Sequence, residues 1–388
     1  MTMFRRSLLA GLGGVTGLAA LGPLHAATLT GSGGGAVVRL GQSASLSGGQ
    51  QRYGQDVRAG ILAALQAANR AESQRDGPRA LQFELQTLDD GGVRDRGVAN
   101  VKQLIDDGAA ALVGLTSGAI AEAALPLVQN AQIPLLGTAS GNMGIRLASA
   151  AGISHVRAGY DTEYRRMVAY VRDFGMKRVG YVHLQDTSKA NLEAMQQALQ
   201  AARVQPAVTV GVDRNAKSFA PQVQQLAAAK LDGLMFTTNA GPILRMVEEL
   251  SAAGFNGMCF ASSFAGQELV DGIALAGRSI VMSLVVPRPN ALGLAVVNQC
   301  RQDLAAFGGG AKLGITTLEG YIAGRVAVDA ARAAQRGGKP TRASMRDALA
   351  RLQTDLGGYR VNFGAEHGMH GSQYVDMVVI NRHGHIVG

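Results

Sequence analysis

The 388-residue sequence predicts an α/β protein made of two doubly wound parallel-sheet domains, and three observations carry that expectation. Apolar runs of strand length alternate with segments of helical period along almost the whole chain. Roughly a dozen such units are present, too many for one compact sheet. The length is sufficient for two separate cores, and no low-complexity tether divides the chain, so several short crossings are expected between the domains.

The elements follow in order. Val37–Ala44 reads as a strand, and Tyr53–Arg70 then spaces Val57, Ile61, Leu62 and Leu65 along one helical face. Leu81–Leu88 is the next strand, closed by Asp89-Asp90-Gly91-Gly92. Val93–Asp106 is a helix with Val98, Val101, Leu104 and Ile105 inward. Ala109–Leu115, Ile133–Gly137, Arg178–His183, Ala207–Val212, Leu231–Thr237 and Met258–Ala261 repeat the strand pattern, each with a helix expected after it. Tyr374–Ile380 is a late strand.

Met1–Ala26 differs from the rest. Arg5 and Arg6 precede a short, Gly-interrupted apolar run ending in Pro23-Leu24-His25-Ala26, the layout of a cleaved export signal. Arg5-Arg6-Ser7-Leu8-Leu9 also fits a twin-arginine signal, although ordinary signals carry paired arginines too. No Cys stands at the cleavage point, so a lipid anchor is not indicated. Gly11, Gly13 and Gly17 imitate a dinucleotide fingerprint, but no strand precedes them and the spacing is one residue too long. Residues 27–36, with Gly31 to Gly35, read as a linker. A periplasmic location follows from this reading.

Removing Arg5 and Arg6 takes the formal charge from +9 to +7, and the remaining basic residues are scattered. Without basic clusters or interleaved aromatics, a nucleic-acid partner is not expected. Cys259 and Cys300 could pair after export, but free thiols are the expectation.

Two neighbouring strands end alike, in Leu115-Thr116-Ser117-Gly118 and in Thr138-Ala139-Ser140-Gly141. In an open parallel sheet, ligands sit beyond the carboxyl ends of the strands, where loops enter helices. Ser117-Gly118 would open a helix over Ala119–Asn130, whose free N–H groups favour a carboxylate. Each serine could equally be a simple helix cap; as a matched pair they point to a site.

No G-x-S-x-G, H-E-x-x-H or G-x-x-x-x-G-K-[ST] occurs, so the chain is not expected to be an enzyme. His367 with His370, and His383 with His385, have spacings that metal ligands can have, but they read as solvated loop residues, and neither metal nor cofactor is expected. A periplasmic hydrolase is the alternative from another class; it would need a nucleophile and a base within reach, and Asp186 with Ser188 makes too thin a case for one.

Leu40-Gly41-Gln42-Ser43-Ala44-Ser45-Leu46-Ser47-Gly48, then Tyr53-Gly54-Gln55-Asp56 and Gly60, resembles the opening of periplasmic binding proteins of the leucine/isoleucine/valine type. Asp89-Asp90, Leu104-Ile105-Asp106-Asp107-Gly108, Val113–Gly118, Ile133-Pro134-Leu135-Leu136, Val156-Arg157-Ala158-Gly159 and Leu318-Glu319-Gly320-Tyr321-Ile322-Ala323 continue the resemblance in order. It implies the type I fold, two lobes joined by three hinge crossings: a first lobe of 37–156 with 288–355, and a second of 157–287 with 356–388. It implies a small-molecule ligand trapped between the lobes, an inner-membrane ABC permease and its ATPase as partners, no nucleic-acid partner, and a monomeric binding protein. A ligand sensor that presents its closed state to a membrane receptor is the alternative within the same fold.

The same resemblance implies the contacts. Tyr53 would line the cleft, Thr116, Ser117 and Gly118 would hold a ligand carboxylate, and Thr138, Ala139 and Ser140 would form the second strand-end contact. From the other lobe would come Tyr160 and Asp161, Asp186, and Thr238 with Asn239. Amino-acid-binding relatives carry an acid after the strand matching Met258–Ala261; here Ser262 and Ser263 stand instead. A buried ammonium without a counter-charge is unfavourable by several kcal/mol. Either Asp161 or Asp186 replaces that acid, or the ligand has no ammonium.

Overall fold

The structure, a computed structural model, describes residues 35–77, 80–147, 152–364, 366–367 and 369–387. The expected export signal, and most of the linker after it, lie outside these residues. The strands are β1 (Val37–Ala44), β2 (Gln82–Asp89), β3 (Ala111–Val113), β4 (Leu135–Leu136), β5 (Ile153–Ser154), β6 (Val179–Leu184), β7 (Val208–Val212), β8 (Gly233–Thr237), β9 (Met258–Ala261), β10 (Ile280–Leu284), β11 (Gln353–Asp355), β12 (Arg360–Asn362), β13 (Asp376–Ile380) and β14 (Ile386–Val387). The helices are α1 (Gln51–Asp76), α2 (Arg94–Asp106), α3 (Gly118–Ala123), α4 (Leu125–Asn130), α5 (Tyr160–Asp173), α6 (Lys189–Ala202), α7 (Ala220–Ala228), α8 (Ala240–Ala252), α9 (Gly266–Gly272), α10 (Ala295–Phe307), α11 (Ile315–Gln335) and α12 (Arg342–Leu349).

Two main sheets result. The first has the order β2-β1-β3-β4-β5 and is parallel throughout, with Val37 opposite Gln82 and Ala44 opposite Asp89. The second has the order β14-β13-β10-β9-β8-β6-β7; β6 to β10 are parallel, and β13 and β14 add antiparallel strands at one edge. The apolar strand runs are buried because helices cover both faces of such sheets. This is the two-lobed α/β fold that the alternation predicts.

The order also reverses once in each sheet, between β1 and β3 and between β6 and β8. Loops at these two switch points diverge to opposite faces and leave a crevice, which is where open α/β sheets take ligands.

Two expectations fail locally. The helix expected over Ala119–Asn130 is split into α3 and α4 at Ala124. Pro126 has no N–H to donate to the carbonyl of Glu122, so the helix cannot run through. The chain after β4 enters a short 3-10 turn, Met143–Ile145, instead of a full helix.

The chain passes between the sheets three times, between Ser154 and Tyr160, between Leu284 and Ala295, and between Asn362 and Asp376. The expected boundary after Asp355 falls inside a small antiparallel ribbon, β11 with β12, in which Gln353 pairs with Asn362. Tyr359 at the tip of that ribbon has its hydroxyl 2.7 Å from the Val156 carbonyl and 3.0 Å from that of Val285, touching the other two crossings. His155 and His370 stack with ring centroids 5.3 Å apart beside Arg146, whose guanidinium lies 3.4 Å from His370 Nδ1. His155 Nε2 donates to the Ile145 carbonyl at 3.0 Å.

Helices α1 and α11 cross closely because small residues face each other. A Cβ on Gly60 would stand 2.0 Å from the Thr317 carbonyl oxygen, and one on Gly320 would stand 2.1 Å from that of Val57. Gly60→Ala is therefore expected to destabilise the protein by about 3 kcal/mol, read as a lowered urea midpoint at unchanged slope.

Burial, Arg146 and His370 together hold the His155 pKa well below its ordinary value, and burial with Arg146 lowers that of His370. Above about pH 6.5 both residues are neutral in the folded and unfolded chains. Below it the unfolded chain takes protons that the folded one refuses, so stability should fall as the pH is lowered, by at most about 1.4 kcal/mol per unit for buried His155. Urea midpoints between pH 7.5 and 5 measure this, and His155→Gln should flatten the slope.

Candidate ligand-binding cleft

The loops after β3 and β4 are built on one plan. Each strand is followed at once by a left-handed glycine, Gly114 (φ 62°) or Gly137 (φ 59°), then two residues, then Ser-Gly. The equal spacing lays the two loops side by side, with the Ala139 N–H donating to the Leu115 carbonyl at 2.9 Å. Ser117 caps α3, accepting from the Ile120 N–H at 3.3 Å, so its cap role is real. Its hydroxyl proton stays free for a further bond. A Cβ on Gly118 would lie 2.5 Å from Ser140 Oγ, so only glycine brings these loops together.

Across from them stand loops of the second sheet. An inner chamber of about 60 Å³ has Ser117, Gly118, Ala119, Ser140 and Asn142 on one wall. Tyr160, Tyr164, Leu184, Thr237 and Phe264 form the opposite, largely aromatic wall, with Thr187, Ser188 and Asn191 at its rim. The chamber opens into a vestibule of about 670 Å³ that shares Gln50, Ser117, Ala119, Asp186, Ser188 and Arg214 with it. The β3 end and the ends of β6 and β8 thus meet at one cavity, as the switch-point rule requires.

Several bonds draw the two sides together. Tyr160 N–H donates to the Gly141 carbonyl at 2.8 Å, Met143 N–H donates to Asn191 Oδ1 at 2.8 Å, and Ser140 Oγ lies 3.4 Å from the Tyr160 hydroxyl. The Tyr160 ring stacks on Tyr164 at 5.5 Å. Burial raises the pKa of both phenols, so they act as neutral hydroxyls.

Residues 37–384 match the family model for periplasmic binding proteins. The chain belongs to the periplasmic binding proteins. That membership implies a periplasmic location. A possible leucine/isoleucine/valine-binding protein from Rhodopirellula baltica superposes with a TM-score of 0.84 at 23% identity, covering 92% of this chain and 98% of its own. A branched-chain amino acid ABC transporter protein from Thermus thermophilus with bound valine gives 0.81 at 14%, covering 91% and 95%. A solute-binding protein from R. palustris in complex with benzoate gives 0.76 at 17%, covering 90% and 95%. No curated protein matches the sequence.

Of the fourteen residues expected in the site of this binding protein, Ser117, Gly118, Ser140, Tyr160 and Asp186 line the cavity. The other nine do not line it. Tyr53 is buried and donates to the Ala139 carbonyl at 2.8 Å. Thr116 Oγ1 accepts from the Ser45 N–H at 3.0 Å, and Thr138 is buried behind its loop. Thr238 donates to the carbonyl of Asn239, the N-cap of α8, while neighbouring Thr237 reaches the chamber.

Both acids expected to meet a ligand ammonium already have an arginine partner. Asp161 pairs with Arg165 at 3.0 Å, one helical turn on, and Asp186 is gripped bidentately by Arg214 at 2.8 Å.

Ser262 and Ser263 are buried away from the cavity, and Ser263 belongs to an ionic cluster. Arg157 donates to Glu163 Oε1 at 2.5 Å, to Ser263 Oγ at 2.6 Å and to Glu319 Oε1 at 3.0 Å. Glu163 also accepts from Ser263 Oγ at 2.9 Å, the Ser263 N–H at 2.9 Å and Ser283 Oγ at 2.6 Å. So Ser263 fills the place after β9 in order to bind a carboxylate of the protein itself. Burial raises the pKa of Glu319, and Arg157 opposes it.

Asn142, Tyr164, Asn191, Arg214 and Phe264 are cavity residues that sequence reasoning did not select. Arg214 is the second residue after β7, and the strand-end rule applied there would have found it. Among the described residues no group of three or more His, Cys, Asp or Glu side chains could hold a metal, and no helix is long and apolar enough to cross a membrane.

Replacing Arg157 by Met would strand two carboxylates in the interior. The expected loss of folding stability is about 3–5 kcal/mol, measured by urea denaturation at neutral pH.

Proposed function

We propose that this periplasmic binding protein captures a small carboxylate or amino acid between its two lobes and delivers it to an inner-membrane ABC importer, binding without turnover. The observation that carries the reading is the convergence of both sheets' switch points on one cavity, with hydroxyl and amide groups on one wall and aromatic rings on the other. A carboxylate fits beside Ser117, Gly118 and Ser140, where free donors gather at the start of α3. The apolar part of the ligand then lies against Tyr160, Tyr164 and Phe264. The bound valine and benzoate of the two similar structures are both small carboxylates, which supports this class.

In this reading the first lobe comprises 37–156 with 288–355 and the second 157–287 with 356–388. The ligand meets both, and closure around it creates the surface that an importer recognises.

A thermal-shift screen of the mature protein against amino acids, aromatic acids, keto acids and amides tests the class. A ligand at ~1,000 times its dissociation constant should add about 4 kcal/mol, a rise on the order of ten degrees. Ser117→Ala should weaken the best carboxylate about tenfold by calorimetry, since a hydrogen bond to a charged group is worth ~1.5 kcal/mol or more. Unchanged affinity would remove the carboxylate from that wall.

A further inference from the structure

One carboxylate at the cleft is not neutralised. Three acids line the chamber and its vestibule: Asp186, Glu193 and Glu122. Arg214 holds Asp186, and Lys189 lies 3.4 Å from Glu193. Glu122, on α3, meets only neutral donors: Asn142 Nδ2 donates to Oε2 at 2.9 Å and Ser188 Oγ to Oε1 at 3.3 Å. Among the described residues it makes no ion pair. A carboxylate can accept about four hydrogen bonds, so these two leave capacity for an ammonium.

Its position suits that use. Asn142, which holds Glu122, packs directly over Gly118, with Nδ2 3.1 Å from where a Gly118 Cβ would be. Glu122 is therefore one side chain away from the wall where the ligand carboxylate is placed above. In an α-amino acid a single carbon separates carboxylate from ammonium, and one head group can reach both.

We infer that Glu122 supplies the counter-charge for a ligand ammonium and selects α-amino acids over the same acids lacking the amine, an inference that rests on the proposed carboxylate site. The role left vacant by Ser262 and Ser263 after β9 is thereby filled from the opposite lobe. The Glu122–Ser188 bond crosses the cleft, so the group that meets the ammonium also touches the closing side.

Calorimetry with leucine, leucinamide and 4-methylpentanoate, on the wild type and on Glu122→Gln, tests the assignment. Glutamine keeps the shape and removes the charge; its oxygen can still accept from Asn142 Nδ2 while its amide donates to the Ser188 hydroxyl. The wild type should bind leucine on the order of 30-fold more tightly than 4-methylpentanoate, a preference that needs no variant to measure. Glu122→Gln should lose a similar factor for leucine and change little for 4-methylpentanoate. Equal losses for both ligands, no loss for leucine, or a wild type that prefers 4-methylpentanoate would each overturn the role of Glu122. If leucinamide binds as well as leucine and loses affinity in Glu122→Gln, the ammonium contact stands and the carboxylate placement fails. No binding of any of the three overturns both.

Discussion

One guanidinium holds the centre of the molecule. Arg157 lies in the first crossing, Glu163 on a helix of the second lobe and Glu319 on a helix packed against the first, and all three are nearly inaccessible to water. Burial alone would loosen the proton on Arg157, but the two carboxylates more than compensate and raise its pKa. Ions taken out of water in this way are tolerated only when their hydrogen bonds are met, and Ser263 and Ser283 complete the set around Glu163. The guanidinium also lies 5.7 Å from the centre of the Tyr160 ring. The start of α5, and with it the aromatic wall of the cleft, is thus anchored to the same charge cluster.

From that anchor the binding wall follows by short steps. Tyr160 is bonded through its backbone to Gly141, Gly141 follows Ser140, and Ser140 stands against Gly118. Both lobes contribute to the chamber, yet each contribution is a loop fixed by a strand end. The polar side is supplied by hydroxyls and amides and the opposite side by rings, an arrangement that orients a small molecule with one polar end.

Much of this was legible in the chain. β1 and β9 coincide with the expected runs at both ends, because their apolar residues are bounded by polar and glycine signals. The paired Thr/Ser/Gly endings pointed to the cleft because strand ends and helix starts are local features. The failures are non-local. Arg157 and Glu319 are 162 residues apart, and nothing near Ser263 reveals that its partner is Glu163. Asp161 and Asp186 looked available because their arginines lie one turn or one strand away. Thr116 sits in the right loop, but its hydroxyl is turned to the Ser45 N–H, a partner 71 residues away in the chain. The split of the α3–α4 segment was readable from Pro126 alone.

The hydroxyl of Tyr359 reaches two backbone carbonyls with one proton to give. At any instant only one of the strands it touches is held, and the other is merely adjacent. A joint of this kind can serve as a swivel: the phenol keeps its proton and turns it from the Val156 carbonyl to that of Val285 or back, and the oxygen need not move far. The crossings it joins can then shift past one another while the number of bonds at the pivot stays the same. Stiffness at the cleft and ease of turning at the hinge are compatible because they reside in different residues.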